Sequence, residues 1–465
     1  MDVSFQGGVG AGLAVGALMI SGITWAQEVP SYEVDFSQPA GKIRAINGTN
    51  LGPLYKGRNL TTATQDFKAL NFSTVRLHDV PLDNAGMRLV DYQMIFGNMD
   101  ADPKDPKNYY FEQTDDYIRT ILDCGPKIVY RLGPSIEWSA KKYFVKEPKD
   151  HAHFAELCAG IVRHYNKGWA NGHQWNIEYW EIWNEPNLPG NMWDTGFDNY
   201  IKFYVDVAKR LKTEFPEIKV GGPVLTSADR VQASKFVKAC RKEGAALDFF
   251  SWHGYIRKSS QCAESANFVR KLLDDHGFAK AELHFNEWHY FPCEWSALTT
   301  TEGLRRWVDT ADGMNGIDSA AFNTVCLSRW QDLPLDMANF YATGLAQWGL
   351  RRWDGSFRPT YYSLQAFGRF AKETPVRVRT KDSGNDSVTI LGGVGPNGEK
   401  QMLVTAFQKV QPSQSIKLSG VPSKGTANVL RLDASTTGFK EEAVPYSDGV
   451  IRLVTQGSTV LLVRF

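Results

Sequence analysis

The sequence predicts an α/β fold: a (β/α)8 TIM barrel followed by a C-terminal antiparallel β-sandwich domain. Three observations carry this expectation. Eight short apolar runs alternate with amphipathic helical patterns, the mark of parallel βαβ units. No GxGxxG turn follows the first run, which disfavours an open, doubly wound nucleotide-binding sheet. Beyond about Ala371 the helical period stops, and β-rich runs separated by turn-formers take over.

In chain order, residues 1–26 read as a signal peptide. Residues 9–26 carry no charge and end in small residues, Thr24 and Ala26, although the usual basic start is missing and the first positive residue is Lys42. This segment implies a secreted or periplasmic protein, and no other stretch has the length and apolarity to span a bilayer. Residues 27–40 hold a strand pattern at 32–35 that could join the sandwich. The barrel is expected over residues 41–371, with strands at 43–46, 74–77, 127–132, 177–183, 218–221, 248–252, 281–285 and 318–325. Between them, Phe154, Leu157, Cys158, Ile161, Val162 and Tyr165 form a stripe at helical spacing, as do Tyr200, Tyr204, Val207, Ala208, Leu211 and Phe215. A third helix carries Leu304, Trp307, Val308 and Ala311. The sandwich is expected over 372–465, its runs parted by turns such as Gly395-Pro396-Asn397-Gly398 and Ser447-Asp448-Gly449.

Composition excludes several classes. Lys+Arg is 52 against 51 Asp+Glu, a net charge of +1, so nucleic acid is not an expected partner. With 43% hydrophobic and 22% charged residues the chain is ordinary globular material. None of its six cysteines falls in a CxxC pair, which argues against a zinc ribbon; Cys262 and Cys293 lie in loop-like sequence and are the candidate disulfide. His151 and His153 sit off the apolar helix stripe with no evident third ligand, so no metal or cofactor is expected.

Two segments carry chemistry. Tyr179-Trp180-Glu181-Ile182-Trp183-Asn184-Glu185-Pro186 is an apolar strand ending in a carboxylate, and so is Leu283-His284-Phe285-Asn286-Glu287-Trp288. Parallel barrels place active sites at the C-terminal ends of their strands. Two carboxylates at neighbouring rim positions are what glycoside cleavage needs: one protonates the leaving oxygen and the other attacks the anomeric carbon. By two-residue alternation, Arg76 and His78 share one strand face, and His253 and Tyr255 another. Trp138, Trp193, Trp288, Trp295 and Trp330 follow or end barrel strands, where each either stacks on sugar or packs the core; His289 is a further candidate sugar contact.

The Trp-Asn-Glu-Pro motif on the fourth strand and Glu-Trp on the seventh resemble the clan A retaining glycoside hydrolases, most closely glycoside hydrolase family 39, the β-xylosidase-like group. Val75-Arg76-Leu77-His78-Asp79, Trp252-His253-Gly254-Tyr255 and the segment from Gly355 to Tyr362 extend the likeness over the chain after about Tyr32. The resemblance implies Glu185 as acid/base, with its pKa raised by its ionised partner, and Glu287 as nucleophile, with an oligosaccharide or polysaccharide as substrate. It implies that Arg76 and Tyr255 hold Glu287, that Asn184 binds a sugar hydroxyl, and that His78 and His253 line the subsite. One departure is expected: the run taken as the last strand, containing Phe322 to Cys326, lacks a tryptophan. The alternatives are an endo-acting polysaccharide hydrolase and a non-catalytic carbohydrate-binding protein.

Overall fold

Short apolar strands bury both faces only when helices wrap the sheet they form. The chain does this in a computed structural model that describes residues 32–53, 60–80, 88–137, 139–188, 190–311, 313–344 and 347–465. The signal-peptide reading and Trp138 lie outside the described residues.

Strand β1 (Tyr32–Lys42) leads into the barrel strands β2 (Asn47–Asn50), β3 (Thr74–Leu77), β4 (Lys127–Leu132), β5 (Tyr179–Ile182), β6 (Lys219–Leu225), β7 (Phe249–Ile256), β8 (Glu282–Tyr290) and β9 (Met337–Phe340). These eight are parallel, and β9 closes on β2 through pairs such as Asn47 with Ala338. Around them run α1 (Leu60–Lys68), α2 (Tyr92–Ile95), α3 (Glu112–Leu122), α4 (His151–Lys167), α5 (Phe197–Glu214), α6 (Arg230–Glu243), α7 (Ser259–Asp275), α8 (Thr301–Asp309), α9 (Ile317–Arg329) and α10 (Pro359–Glu373). No described helix is long and apolar enough to cross a membrane.

Two strand expectations need correction. Residues 318–325 are not the eighth strand but the middle of α9, whose residues from Ser319 to Leu327 are all buried. A helix buried on every side loses its polar stripe, and its sequence then looks like a continuous apolar strand. The true last strand is β9. The first strand follows the apolar run 43–46 instead of occupying it: β2 is Asn-Gly-Thr-Asn, a turn-like sequence that is wholly buried. Its polar side chains serve the barrel interior, where Asn50 accepts from Arg76 at 3.0 Å.

The C-terminal strands are β10 (Val376–Lys381), β11 (Val388–Val394), β12 (Lys400–Ala406), β13 (Ser413–Ser419), β14 (Gly425–Asp433), β15 (Lys440–Ser447), β16 (Val450–Val454) and β17 (Thr459–Arg464). With β1 they form one sheet that closes on itself. All its pairs are antiparallel except β1 with β13. Met402 and Val404 face the interior of this unit, while Leu403 joins the barrel core. Polar ties flank that apolar seam: Thr324 Oγ1 lies 2.8 Å from Thr405 Oγ1, and Arg329 donates to Asp382 at 3.0 Å. The Cys262–Cys293 disulfide does not form. Cys262 lies inside α7, and all six thiols are free.

Leu403 is fully buried at the seam. Leu403→Ala should lower unfolding free energy by about 2–5 kcal/mol. Chemical denaturation followed by tryptophan fluorescence would show this, and an unchanged midpoint would mean the seam adds nothing to stability.

Candidate active site

The site is built around one buried cation. Arg76 on β3 is fully buried, and its guanidinium makes four hydrogen bonds. Nε donates to Glu181 Oε2 at 2.6 Å, Nη1 to Asn50 Oδ1 at 3.0 Å and Glu287 Oε2 at 3.2 Å, and Nη2 to Asn184 Oδ1 at 2.6 Å. Glu181, the main counter-charge, is absent from the sequence-based site. It sits inside the apolar β5 run, and its other oxygen accepts from Asn286. Arg76 therefore reaches no substrate. It acts through the carboxylates and the amide that it holds.

Glu287 is held on both oxygens: the Tyr255 hydroxyl donates to Oε1 at 2.6 Å, and Arg76 to Oε2. Glu185 stands just past β5 in left-handed backbone (φ 43°), as does Trp183 (φ 71°). Such conformations cost about 1–3 kcal/mol each and cluster at functional sites. The Glu185 amide is anchored to Val224 O at 2.9 Å. His253 lies between the two carboxylates, with Nδ1 2.8 Å from Glu185 Oε1 and Nε2 3.6 Å from Glu287 Oε2. Oxygens of Glu185 and Glu287 lie within 4.8 Å of each other.

The two carboxyls are unequal. Burial pushes Glu185 up to about 7, opposed by Arg76 and reinforced by the nearby Asp79 charge. The cause is thus mainly burial, not the partner carboxylate named from the sequence. Burial raises Glu287 too, helped by the neighbouring Glu185 charge, while Arg76 and the Tyr255 hydrogen bond pull it back. Burial also drops His253 to about 4, so it adds no cation at neutral pH. Of these carboxyls Glu185 has no direct contact with the guanidinium, and burial holds its proton toward neutral pH. Asn184 gives its oxygen to Arg76. This fixes the amide's orientation and leaves Nδ2 buried with no protein partner.

A cleft of about 840 Å³ opens over this floor, lined by Glu185, His253, Tyr255, Phe285, Glu287, Trp295, Tyr341 and Trp348 among others. Trp295 is half exposed at its mouth. Tyr341 and Trp348 escaped the sequence reading because the last strand had been placed in α9. Tyr341 directly follows β9, donates to Asp79 Oδ2 at 3.0 Å, and stacks edge-on to Trp348. The expected lack of a tryptophan at this rim is corrected by Trp348.

Other expected contacts lie elsewhere. Trp288 and Trp330 are buried against each other, at 4.8 Å between rings, and against Phe285. Alternation turns Trp288 away from the Glu287 face, and Trp330 ends α9, so both pack the layer behind the sheet. His289 is buried, with Nδ1 donating to Tyr290 O at 2.7 Å, and it packs behind Trp348 without reaching the cleft. Trp193 is core, packed edge-on against Trp183 and tilted against Phe203. His78 is buried with Nε2 3.4 Å from Asp79, and it does not line the cleft. His151 pairs with Glu147 and Asp206, each at 2.9 Å.

Fold and site together define a (β/α)8 barrel with two buried, paired carboxyls at the C-terminal ends of its strands. Residues 56–282, just under half of the chain, match the model of Glycosyl hydrolases family 39. The match stops short of Glu287. A beta-xylosidase of Geobacillus stearothermophilus is 27% identical over 249 residues, 47% of each chain. One of Caldicellulosiruptor saccharolyticus is 26% identical over 247 residues. The aligned region thus spans about half the length of these curated relatives. Among solved structures, a glucosidase from Croceicoccus marinus superposes with TM-score 0.76 at 19% identity, covering 94% of this chain and 98% of the other. A monomeric beta-xylosidase from Caulobacter crescentus gives 0.67 at 18%, covering 93% and 98%. At such identities the likeness is one of fold.

Two outcomes follow from the buried charges. Arg76→Met strands Glu181 and Glu287 and should destabilise the chain by about 3–5 kcal/mol in urea titration. Glu185 behaves oppositely. Its folded pKa of about 7 exceeds the ordinary ~4.3, so the stability it contributes is full below pH ~4 and is lost as pH rises through about 7. The stability of Glu185→Gln relative to wild type should therefore increase by on the order of 2–3 kcal/mol between pH 5 and pH 8. A pH-independent difference would refute the raised pKa.

Proposed function

We propose that this chain is a retaining glycoside hydrolase that cleaves β-glycosidic bonds, with β-xylosides the first substrates to try. The observation that carries this is a pair of carboxyls whose oxygens lie within 4.8 Å and whose surroundings differ. Separations of ~5–5.5 Å belong to retaining enzymes, and ~6.5–9.5 Å leaves room for the water of inversion. The beta-xylosidases matched over about half their length support the substrate class.

Glu287, held by Tyr255 and Arg76, attacks the anomeric carbon. Glu185, protonated, gives its proton to the leaving oxygen. The Asn184 Nδ2 donor, unused by the protein, serves a sugar hydroxyl, a contact that strengthens toward the transition state. Once Glu287 is an ester its charge is gone, and Glu185 ionises more readily. It then takes a proton from the water that releases the sugar. Trp295 and Trp348 offer apolar faces at the cleft mouth. The uncharged segment 9–26 supports action outside the cytoplasm.

The test is hydrolysis of aryl β-xyloside, β-glucoside and β-galactoside beside polysaccharides. Glu287→Ala should abolish turnover, with azide restoring it as the inverted glycosyl azide. Glu185→Ala should lower kcat about 10²–10⁴-fold on poor leaving groups. Turnover surviving Glu287→Ala would sink the nucleophile assignment. Wild-type binding without turnover on every sugar would favour a carbohydrate-binding protein, and cleavage of polysaccharide alone an endo-acting one. Wild-type activity should fall as pH rises above about 7, where Glu185 loses its proton.

A further inference from the structure

A second cluster of ligating side chains lies in the helix layer, away from the cleft. Asp115 on α3, His164 on α4 and His173 in the loop after α4 converge, with ligand atoms within 4.8 Å of one another. Asp115 Oδ1 is 3.0 Å from His164 Nε2, and Asp115 Oδ2 is 3.1 Å from His173 Nε2.

Proton placement makes the cluster unusual. His164 Nδ1 lies 3.0 Å from the Trp169 carbonyl, which only accepts, so Nδ1 carries the hydrogen. Nε2 then meets Asp115 Oδ1, a contact that a proton on Nε2 makes a hydrogen bond and that a bound cation would bridge in its place. His173 Nε2 is buried and has no hydrogen bond of good geometry, and the Tyr165 hydroxyl is fully buried beside Asp115 and Thr114. Three ligating groups that converge in this way can share one cation. An N–H to carbonyl bond behind a ligating histidine is the usual support of a metal-bound imidazole. Two ligands at ~2.0–2.1 Å from one ion lie about 3 Å apart, close to the spacings here.

The scaffold is rigid. His164 stacks on Phe111 at 3.6 Å between ring centres, and His173 on Trp175 at 3.8 Å, each nearly parallel. The loop folds back tightly, with the His173 amide 2.6 Å from His164 O. Gly172 permits this approach, because a Cβ there would meet His164 O at 2.2 Å.

We propose that Asp115, His164 and His173 form a structural site for a divalent first-row transition ion of the zinc class, pinning α3 to the α4–β5 loop. Two imidazoles and one carboxylate suit such ions. The Tyr165 oxygen or a water would complete the shell. The site is independent of the glycosidase reading.

The test uses the full chain, stripped with chelator and titrated with Zn2+ and, separately, Co2+. One equivalent should bind, Co2+ should give visible d–d absorption, and Zn2+ should raise the melting temperature. His173→Ala, on a partly exposed loop, should weaken binding at least tenfold and remove the thermal shift while leaving glycoside turnover unchanged. Asp115→Asn provides a second variant should the first fail to fold. Absence of binding to wild type would overturn the proposal. So would Zn2+ binding that persists in His173→Ala but vanishes in His253→Ala, which would put the ion in the cleft.

Discussion

The Arg76 guanidinium is the constraint on which the catalytic face depends. It bonds at once to β2 through Asn50, to β5 through Glu181, to β8 through Glu287, and to Asn184 beyond β5. A buried cation is tolerated only when its donors are met by charge and hydrogen bonds. Those bonds hold side chains from opposite sides of the barrel in one geometry. Arg76 bonds Glu181 and Glu287 directly, while Glu185 has no direct contact with it and burial pushes its pKa up to about 7. Two chemically identical side chains thereby acquire different roles.

The rest of the molecule supports that arrangement at a distance. Left-handed backbone at Trp183 and Glu185 turns the chain at the barrel mouth, and the Val224 carbonyl secures the turn. On the far side, α9 and α10 lie between the barrel and the closed C-terminal sheet, and apolar residues of that sheet join the barrel core. Phe407 and Gln408, just past β12, meet Tyr290 at the end of β8, the strand that carries Glu287. Tyr341, Asp79 and Glu185 form a further electrostatic chain, since the Asp79 charge that raises Glu185 also accepts the Tyr341 hydroxyl.

Much of the site was legible because strands alternate with period two. Once Arg76, His253, Tyr255 and Glu287 are placed on strands, their direction follows. The failures have equally physical origins. Glu181 was hidden because one carboxylate within an apolar strand looks like an outward-facing residue. Asn50 was hidden because Asn-Gly-Thr-Asn reads as a turn. The all-round burial of α9 removed the polar stripe by which helices are recognised, and the misplaced strand took Tyr341 and Trp348 with it. Trp288 and Trp330 looked like sugar platforms from their position after strands, yet side-chain direction sent both into the core.

By itself, the sequence determined the alternating architecture, the C-terminal β domain and the two strand ends that carry Glu185 and Glu287. These are local properties, written in periods of two and 3.6 residues and in residue type. Tertiary structure alone decided that burial raises Glu185, that Glu181 is the main counter-charge of Arg76, and that Asp115, His164 and His173 meet at all. Those outcomes depend on burial and through-space charge among residues far apart in the chain, and no periodicity records such distances.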